Sequence, residues 1–305
     1  MAKYIGKRVL FGIISLFALI VLVFCLTRLM PGDPFNYENI NQSVREEMIS
    51  HYGLDKPILT QLGMYLQNLL HGDLGISYKK PGMTVNHLIM TEAGYTIKLG
   101  VMAYLIALIL GIIMGIGMAV TKHESIRGGL MIFTVMGISI PNYVLALLLM
   151  LVFGVTLKMV PVVGLGTWRH YILPVAALTV YPLAQISKLV RSSYSEAMNQ
   201  DYVTMAKAKG ISGIRISMEH ILKNALIPVI TASGPIIAFL ITGSFVVEEI
   251  FTIPGIGREF VDAVSNRDYT VIMGLTIFLG VILMLCNLLA DIICVLVDPR
   301  IKLDD

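Results

Sequence analysis

The chain has 305 residues, of which 56% are hydrophobic and 14% charged, and its mean hydropathy is +0.79. That profile excludes an ordinary soluble domain and reads as an integral membrane protein. The formal net charge is only +3, and the basic residues flank apolar runs without interleaved aromatics, so nothing favours nucleic-acid binding.

Six runs of about 20 residues can each cross the roughly 30 Å of bilayer hydrocarbon as a helix. They lie near Val9 to Met30, Leu99 to Thr121, Leu130 to Leu157, Tyr171 to Val190, Pro228 to Val247 and Thr270 to Val297. An even number puts both termini on one side. With cytoplasmic termini, the inner side carries thirteen bases against seven acids and the outer side ten against twelve, Asp291 lying within the last span. The positive-inside bias therefore favours cytoplasmic termini. The expected fold class is an all-α integral membrane protein: six transmembrane helices, an outer subdomain between the first and second, and a cytoplasmic loop between the fourth and fifth. The corresponding divisions are 1–30, 31–94, 95–297 and a tail, 298–305.

In chain order, the first run follows Lys3, Lys7 and Arg8. It is too long for a signal peptide and no small-x-small cleavage site precedes Pro31, so it reads as an uncleaved span. A Pro- and Gly-rich break, Arg28-Leu-Met-Pro-Gly-Asp-Pro34, ends it. The outer segment then holds an expected amphipathic helix at 44–52, the turn Gly53-Leu54-Asp55-Lys56-Pro57, a second helix from Ile58 to Leu70, and Gly72-Asp73-Leu74-Gly75-Ile76-Ser77. In the second span Gly111, Gly115 and Gly117 permit close helix approach, the first two in small-xxx-small spacing. Pro141-Asn142 interrupts the third span, and Pro174 and Pro182 the fourth. Each proline removes a backbone donor, and the carbonyl it leaves must face protein or water.

Between the fourth and fifth spans lies a polar, basic island, DYVTMAKAKGISGIRISMEHILKNALIP, from Asp201 to Pro228. Tyr194, Met198, Tyr202 and Met205 recur at spacings of three and four, which predicts a helix with one apolar stripe leading up to Gly210. Ser212 stands at the N-cap of a second short helix, on which Ile214, Met218, Ile221 and Leu222 are expected to share a face until Pro228 ends it. Two short amphipathic helices joined at a glycine, held against a membrane, make a docking surface.

The fifth span is rich in small and hydroxylated residues: Thr231, Ser233, Gly234, Thr242, Gly243 and Ser244. Close packing and the lining of a polar conduit both favour such residues, and both readings stand. Pro141, Asn142, Ser233, Thr242 and Ser244 are the expected pathway-lining residues. The span runs into Glu248-Glu249-Ile250-Phe251-Thr252-Ile253-Pro254-Gly255-Ile256-Gly257-Arg258, whose Pro-Gly-x-Gly is turn chemistry. Asp291 lies within two turns of the inner end of the last span, where anchoring to water or a basic neighbour is its expected role. Cys25, Cys286 and Cys294 sit in apolar segments and read as packing residues rather than a disulfide or metal framework. No phosphate-binding Gly-x-x-x-x-Gly-Lys-Ser/Thr loop, zinc-binding His-Glu-x-x-His or nucleophile elbow is present, so neither ATP hydrolysis nor another catalytic set is expected here.

These stretches together resemble a known family. Asp201-Tyr202-Val203, then Ala206-Lys207-Ala208-Lys209-Gly210, a short helix and Pro228 resemble the cytoplasmic EAA loop of bacterial ABC importer permeases. PGDP, GLDKP, GDLGIS and EEIF-x-IPGIGR are similar to landmarks of the peptide/nickel class, in particular the B-type permease of dipeptide and oligopeptide importers. Thr204, Met205 and Ala206 replace the general Glu-Ala-Ala, and His220-Ile221-Leu222-Lys223 replaces the usual Ile-x-Leu-Pro, departures that argue against sugar importers.

The resemblance implies a multi-pass bacterial cell-membrane protein that forms half of a peptide pathway. It implies a second homologous permease, two ATP-binding subunits carrying ATP and Mg, and an extracytoplasmic peptide-binding protein, with membrane lipid around the spans and no cofactor bound directly. Asp201, Tyr202, Ala206, Lys207, Ala208, Lys209, Gly210, Ile214, Arg215, Met218, His220 and Leu222 would form the ATPase-coupling loop. Lys207 and Lys209 would meet the ATPase or, alternatively, anionic lipid. Glu248, Glu249, Phe251, Pro254, Gly255, Gly257 and Arg258 would form an outer gate. Nickel and glutathione importers share the architecture, and a secondary transporter is the rival class, although no ionisable group lies convincingly at the membrane midplane.

Overall fold

The computed structural model describes residues 2–29, Ile49, Gly53, 55–80, 82–241 and 245–297. The PGDP break, most of the expected helix at 44–52, residues 242–244 with Thr242 and Ser244, and the tail from 298 lie outside the described residues. The fold is mostly helical, and no strand occurs among the described residues.

The helices are α1 (Ala2–Leu29), α2 (Ile58–Leu70), α3 (Val85–Val120), α4 (Glu124–Ser139), α5 (Asn142–Leu149, continued by a π-helical turn, Met150–Thr156), α6 (Ile172–Met198) and α7 (Asp201–Ala208). A composite helix α8 spans 213–225, its centre a π-helical turn, Ile216–Leu222. Then come α9 (Ile227–Ile241), α10 (Phe245–Ile250), α11 (Ile256–Asn266) and α12 (Tyr269–Val297). Among the described residues five helices are long and apolar enough to cross a membrane. The sixth candidate is the pair α4 and α5 with its π turn, bent by 106° at Ile140-Pro141. The expected kink is thus a sharp break: Pro141, with no N–H to donate, becomes the N-cap of α5 rather than an interior residue of one helix. Pro174 lies in the first turn of α6, where its missing donor costs nothing, so only Pro182 interrupts that helix.

The centre of the bundle is α3 packed on α6. Ala103, Ala107, Gly111 and Gly115 recur every fourth residue of α3 and are all buried. A Cβ added at Gly111 would lie 2.8 Å from Ile186, and one at Gly115 would lie 2.6 Å from Val190 and 2.8 Å from the Ser187 carbonyl. Gly117 meets nothing within 4 Å and takes no part in this contact. At 36 residues, α3 is about 54 Å long and outlasts the bilayer. It begins fourteen residues before the predicted span, so 85–94 of the expected outer subdomain continue the membrane helix.

At that far end α3 packs with α11 and the start of α12 around Val85, Leu88, Ile256, Tyr269 and Leu275. The 72–80 stretch is pinned there by buried Asp268, which accepts hydrogen bonds from the Ser77 hydroxyl and the Tyr78 and Lys79 amides, the latter two at 3.1 and 3.2 Å. Lys80 adds a 2.5 Å ion pair to Glu259. On the other flank α9 and α1 pack on α12, and Arg8 reaches Asp291 at 3.2 Å. Asp291 has the basic neighbour expected of an anchoring carboxylate.

Candidate functional site

The polar island folds as a module beneath α6. Asn199 and Gln200 break α6 from α7, and the break resets the helical phase. The inward stripe is therefore Val203 and Ala206, while Tyr202 and Met205, expected on the stripe, are exposed. Gly210 turns the chain at φ +73°, a left-handed conformation that costs other residues a Cβ clash. Ser212 occupies the N-cap, but it is its carbonyl that accepts, from the Ile216 amide at 2.9 Å; its side chain makes no capping bond.

The expected shared face of α8 also divides. A π turn pairs residues five apart, so Ile216 and Ile221 point inward together while Ile214 and Met218 point out. Pro228 does not end this helix; it sits in the first turn of α9. The module core joins Val203, Ala206, Ile216, Ile221 and Ala225 to Tyr194 and Ala197 of α6, with Ile116 and Ala119 of α3 against them. Tyr194 and Ser217 share a 2.6 Å hydroxyl hydrogen bond, and Asn224 donates to the Tyr202 hydroxyl at 3.1 Å. A push on α7 and α8 is therefore delivered to the ends of both central helices.

What the module presents outward is unusual for a polar segment. Ile214 is 81% exposed and Met205 and Met218 each 60%. Exposed Asp201, Lys207, Ala208, Lys209 and Lys223 surround them; Arg215 is held by Glu219 at 2.9 Å, and His220 and Leu222 are half-buried. An apolar tip rimmed mostly by cations is chemistry for a protein partner.

At the opposite end, the 248–258 stretch is organised by one carboxylate. Glu248 is 1% exposed. Its Oε2 accepts from the Gly257 and Arg258 amides at 2.8 and 3.2 Å, and its Oε1 from the Thr96 hydroxyl at 2.9 Å. The Thr96 oxygen in turn accepts from the Ile256 amide at 3.0 Å. Three of the four free amides at the start of α11 are thus satisfied by two side chains, with a negative charge where the helix dipole favours it.

Gly255 and Gly257 make this possible. A Cβ at Gly255 would lie 2.5 Å from Thr96 Oγ1, and one at Gly257 2.8 Å from the carboxylate. Phe251 and Ile253 are buried, Pro254 is exposed, and Glu249 pairs with Arg258 at 3.1 Å. The expected gate residues are therefore one hydrogen-bonded turn clamped to α3. Thr96 was missed, being a lone threonine more than 150 residues away in sequence.

Of the expected pathway residues, Thr242 and Ser244 lie outside the described residues. Pro141 and Asn142 lie at the α4–α5 break, Pro141 exposed and Asn142 half-buried. Ser233 accepts from the Tyr104 hydroxyl at 2.6 Å and bridges α9 to α3. Gly234 packs on α12, where a Cβ would lie 2.8 Å from that of Ala290. Among the described residues no group of three or more His, Cys, Asp or Glu side chains could hold a metal.

Comparison with known proteins adds the following. The profile of the family described as "Binding-protein-dependent transport system inner membrane component" matches residues 88–303. The dipeptide transport system permease protein DppB of Bacillus subtilis (strain 168) is 42% identical over 99% of both chains. The oligopeptide transport system permease protein OppB of Haemophilus influenzae is 39% identical over 99% of this chain and all of the relative. In fold, the chain is similar to an inward-facing structure of the MetNI methionine ABC transporter, with a TM-score of 0.55 at 15% identity over 69% of this chain and 96% of the other.

Proposed function

The chain belongs to the binding-protein-dependent transport system inner membrane components, and on that premise we propose that it is one of two permease subunits of an ATP-driven importer of dipeptides or oligopeptides. The observation that carries the reading is the 42% identity to a dipeptide permease along 99% of both chains. A second, related permease completes the conduit, two ATP-binding subunits on the cytoplasmic side hydrolyse ATP with Mg, and an extracytoplasmic binding protein delivers the peptide. Both termini are cytoplasmic, and the 31–94 segment lies outside, beside that binding protein.

In this reading Ile214 and Met218 insert into the ATPase surface, and Lys207 and Lys209 add charge attraction at the rim. Closure of the ATPases pushes the module, the module moves the ends of α3 and α6, and rigid helices carry the motion outward. The turn held by Glu248 is the outer gate.

The test is purification of the chain with its partners, followed by reconstitution in vesicles. The expected result is recovery of a second permease and two ATPases, and ATP-dependent uptake of di- or oligopeptides. Gly210→Pro, which removes the 3.0 Å amide bond to the Lys207 carbonyl and forbids positive φ, should lose the ATPases or uncouple hydrolysis from uptake. Uptake driven by a proton gradient without ATP, or ATP-driven uptake of nickel or glutathione in place of peptides, would refute the proposal.

A further inference from the structure

Of the spanning helices α6 is the most enclosed, and its only large exposed apolar side chain is Ile172 at its first residue. Three neighbours cover it. Gly111 and Gly115 of α3 seat on Ile186 and Val190, and Gly137 of α4 seats on Val180 and Ala184. On the other side α9 borders Pro182 and Leu189 across a cavity of about 390 Å3, with Pro235 and Phe239 on its far wall. At about 100° per residue, the arc of α6 left between α4 and α9 is roughly 60° wide and carries Tyr181, Gln185, Lys188 and Ser192.

Apart from buried Pro174 in the first turn, no apolar side chain stands on that arc. Elsewhere the exposed surface of the bundle is what lipid asks for: Phe17 on α1, Ile113 on α3, Ile132 on α4, Leu289 on α12. A strip of phenol, amide, ammonium and hydroxyl running down the central helix is instead the chemistry that the wall of a wet path calls for. Gln185 donates to the Tyr181 hydroxyl at 2.8 Å, which leaves the amide carbonyl and the phenol hydrogen for a passing backbone. Lys188 is exposed, lines a cavity of about 280 Å3 against α3 and α4 together with Arg191, and has no acidic partner among the described residues. Glu196, two turns further along the helix at about 12 Å, is out of salt-bridge reach.

We propose that this arc is the inner stretch of the conduit, and that Lys188 receives the carboxylate of the passing peptide while Tyr181 and Gln185 meet its backbone. The proposal rests on the peptide-import reading and names the chemistry of that path: a zwitterionic peptide whose side chains face the apolar α6–α9 cavity. Lys188, with Arg191 beside it and no competing acid, attracts the free carboxylate and hands it on, because exposed charges hold it weakly.

The test uses the full importer in vesicles, with wild type, Lys188→Gln and Lys188→Arg, carrying trialanine or trialanine amide. With Lys188→Gln, uptake of the free acid should fall about three- to fivefold, the worth of an exposed ion pair, with the amide little changed; Lys188→Arg should restore the free acid. Unchanged free-acid uptake in Lys188→Gln overturns the proposal. So does an equal loss for both peptides, or a complex that no longer assembles, since either assigns Lys188 to the fold or to lipid. A wild-type complex that takes up neither peptide on ATP overturns the importer reading itself.

Discussion

Removing the charge of Glu248 while keeping its shape tests whether one carboxylate holds the outer turn. In Glu248→Gln the amide oxygen can still accept from Gly257 and Arg258, but as a neutral acceptor, and the amide nitrogen now faces Thr96. A hydrogen bond to a charged group contributes about 1.5–3 kcal/mol against about 0.5–1.5 for a neutral one. Losing that difference at three bonds, softened because they share one group, should lower the cost of opening the α11 N-terminus by about 2 kcal/mol. Amide hydrogen exchange within 255–259 should then accelerate roughly 30-fold.

Thr96→Val, nearly isosteric, removes the donor to Glu248 and orphans the Ile256 amide, with a similar expected effect of about 1–3 kcal/mol. Because the two side chains share a bond, the double variant should fall short of the sum by about 1 kcal/mol. Exchange at 255–259 unchanged in Glu248→Gln, or strict additivity in the cycle, would refute the clamp.

Gly115→Ala puts a Cβ 2.8 Å from the Ser187 carbonyl; it should cost about 1–3 kcal/mol and lower the melting temperature, whereas Gly117→Ala, with open space around it, should not. Ile214→Ser with Met218→Ser alters only side chains already in water, so the melting temperature of the isolated subunit should hold while co-purifying ATPase is lost. Gly210→Ala crowds no atom and pays only for its left-handed backbone, about 1 kcal/mol. Hydrogen exchange should rise locally at 207–212, with uptake reduced far less than by Gly210→Pro.

The spans were legible because apolar length is a property of each segment alone, and so was the glycine hinge of the island, since positive φ asks for one residue type. The faces of the island were not. Tyr202 and Met205 looked inward only if one helix ran through Asn199-Gln200, and Ile214 looked inward only if α8 kept an α-helical period through its π turn. Both errors moved apolar side chains from the core to the surface, and the same side chains then form the tip on which the docking proposal stands. The 248–258 turn was readable as a turn. Its long-range partner Thr96 carries no local signal, and neither do the Ser77 hydroxyl and the Tyr78 and Lys79 amides that meet Asp268, because a hydrogen bond across 150 residues leaves no periodicity.

The two ends of the molecule are joined by packing that admits little slack. Tyr194 and Ala197 sit in the module core, and Ile186 and Val190, one to three turns above, are locked against the glycines of α3. Higher still, Val175 and Leu178 share a cluster with Val247 and with Phe251 and Ile253 of the 248–258 turn. Glycine-seated contacts between α3 and α6 are too close to slide without a clash, so a displacement at Tyr194 carries the pair as one body. The 248–258 turn is held to α3 by Glu248 and Thr96 and shares a core with α6 through Phe251, so it rides with that body. On the proposed function, the freedom needed for opening is expected at its borders, on the α4–α5 break at Pro141 and across the α6–α9 cavity flanked by Pro182 and Pro235.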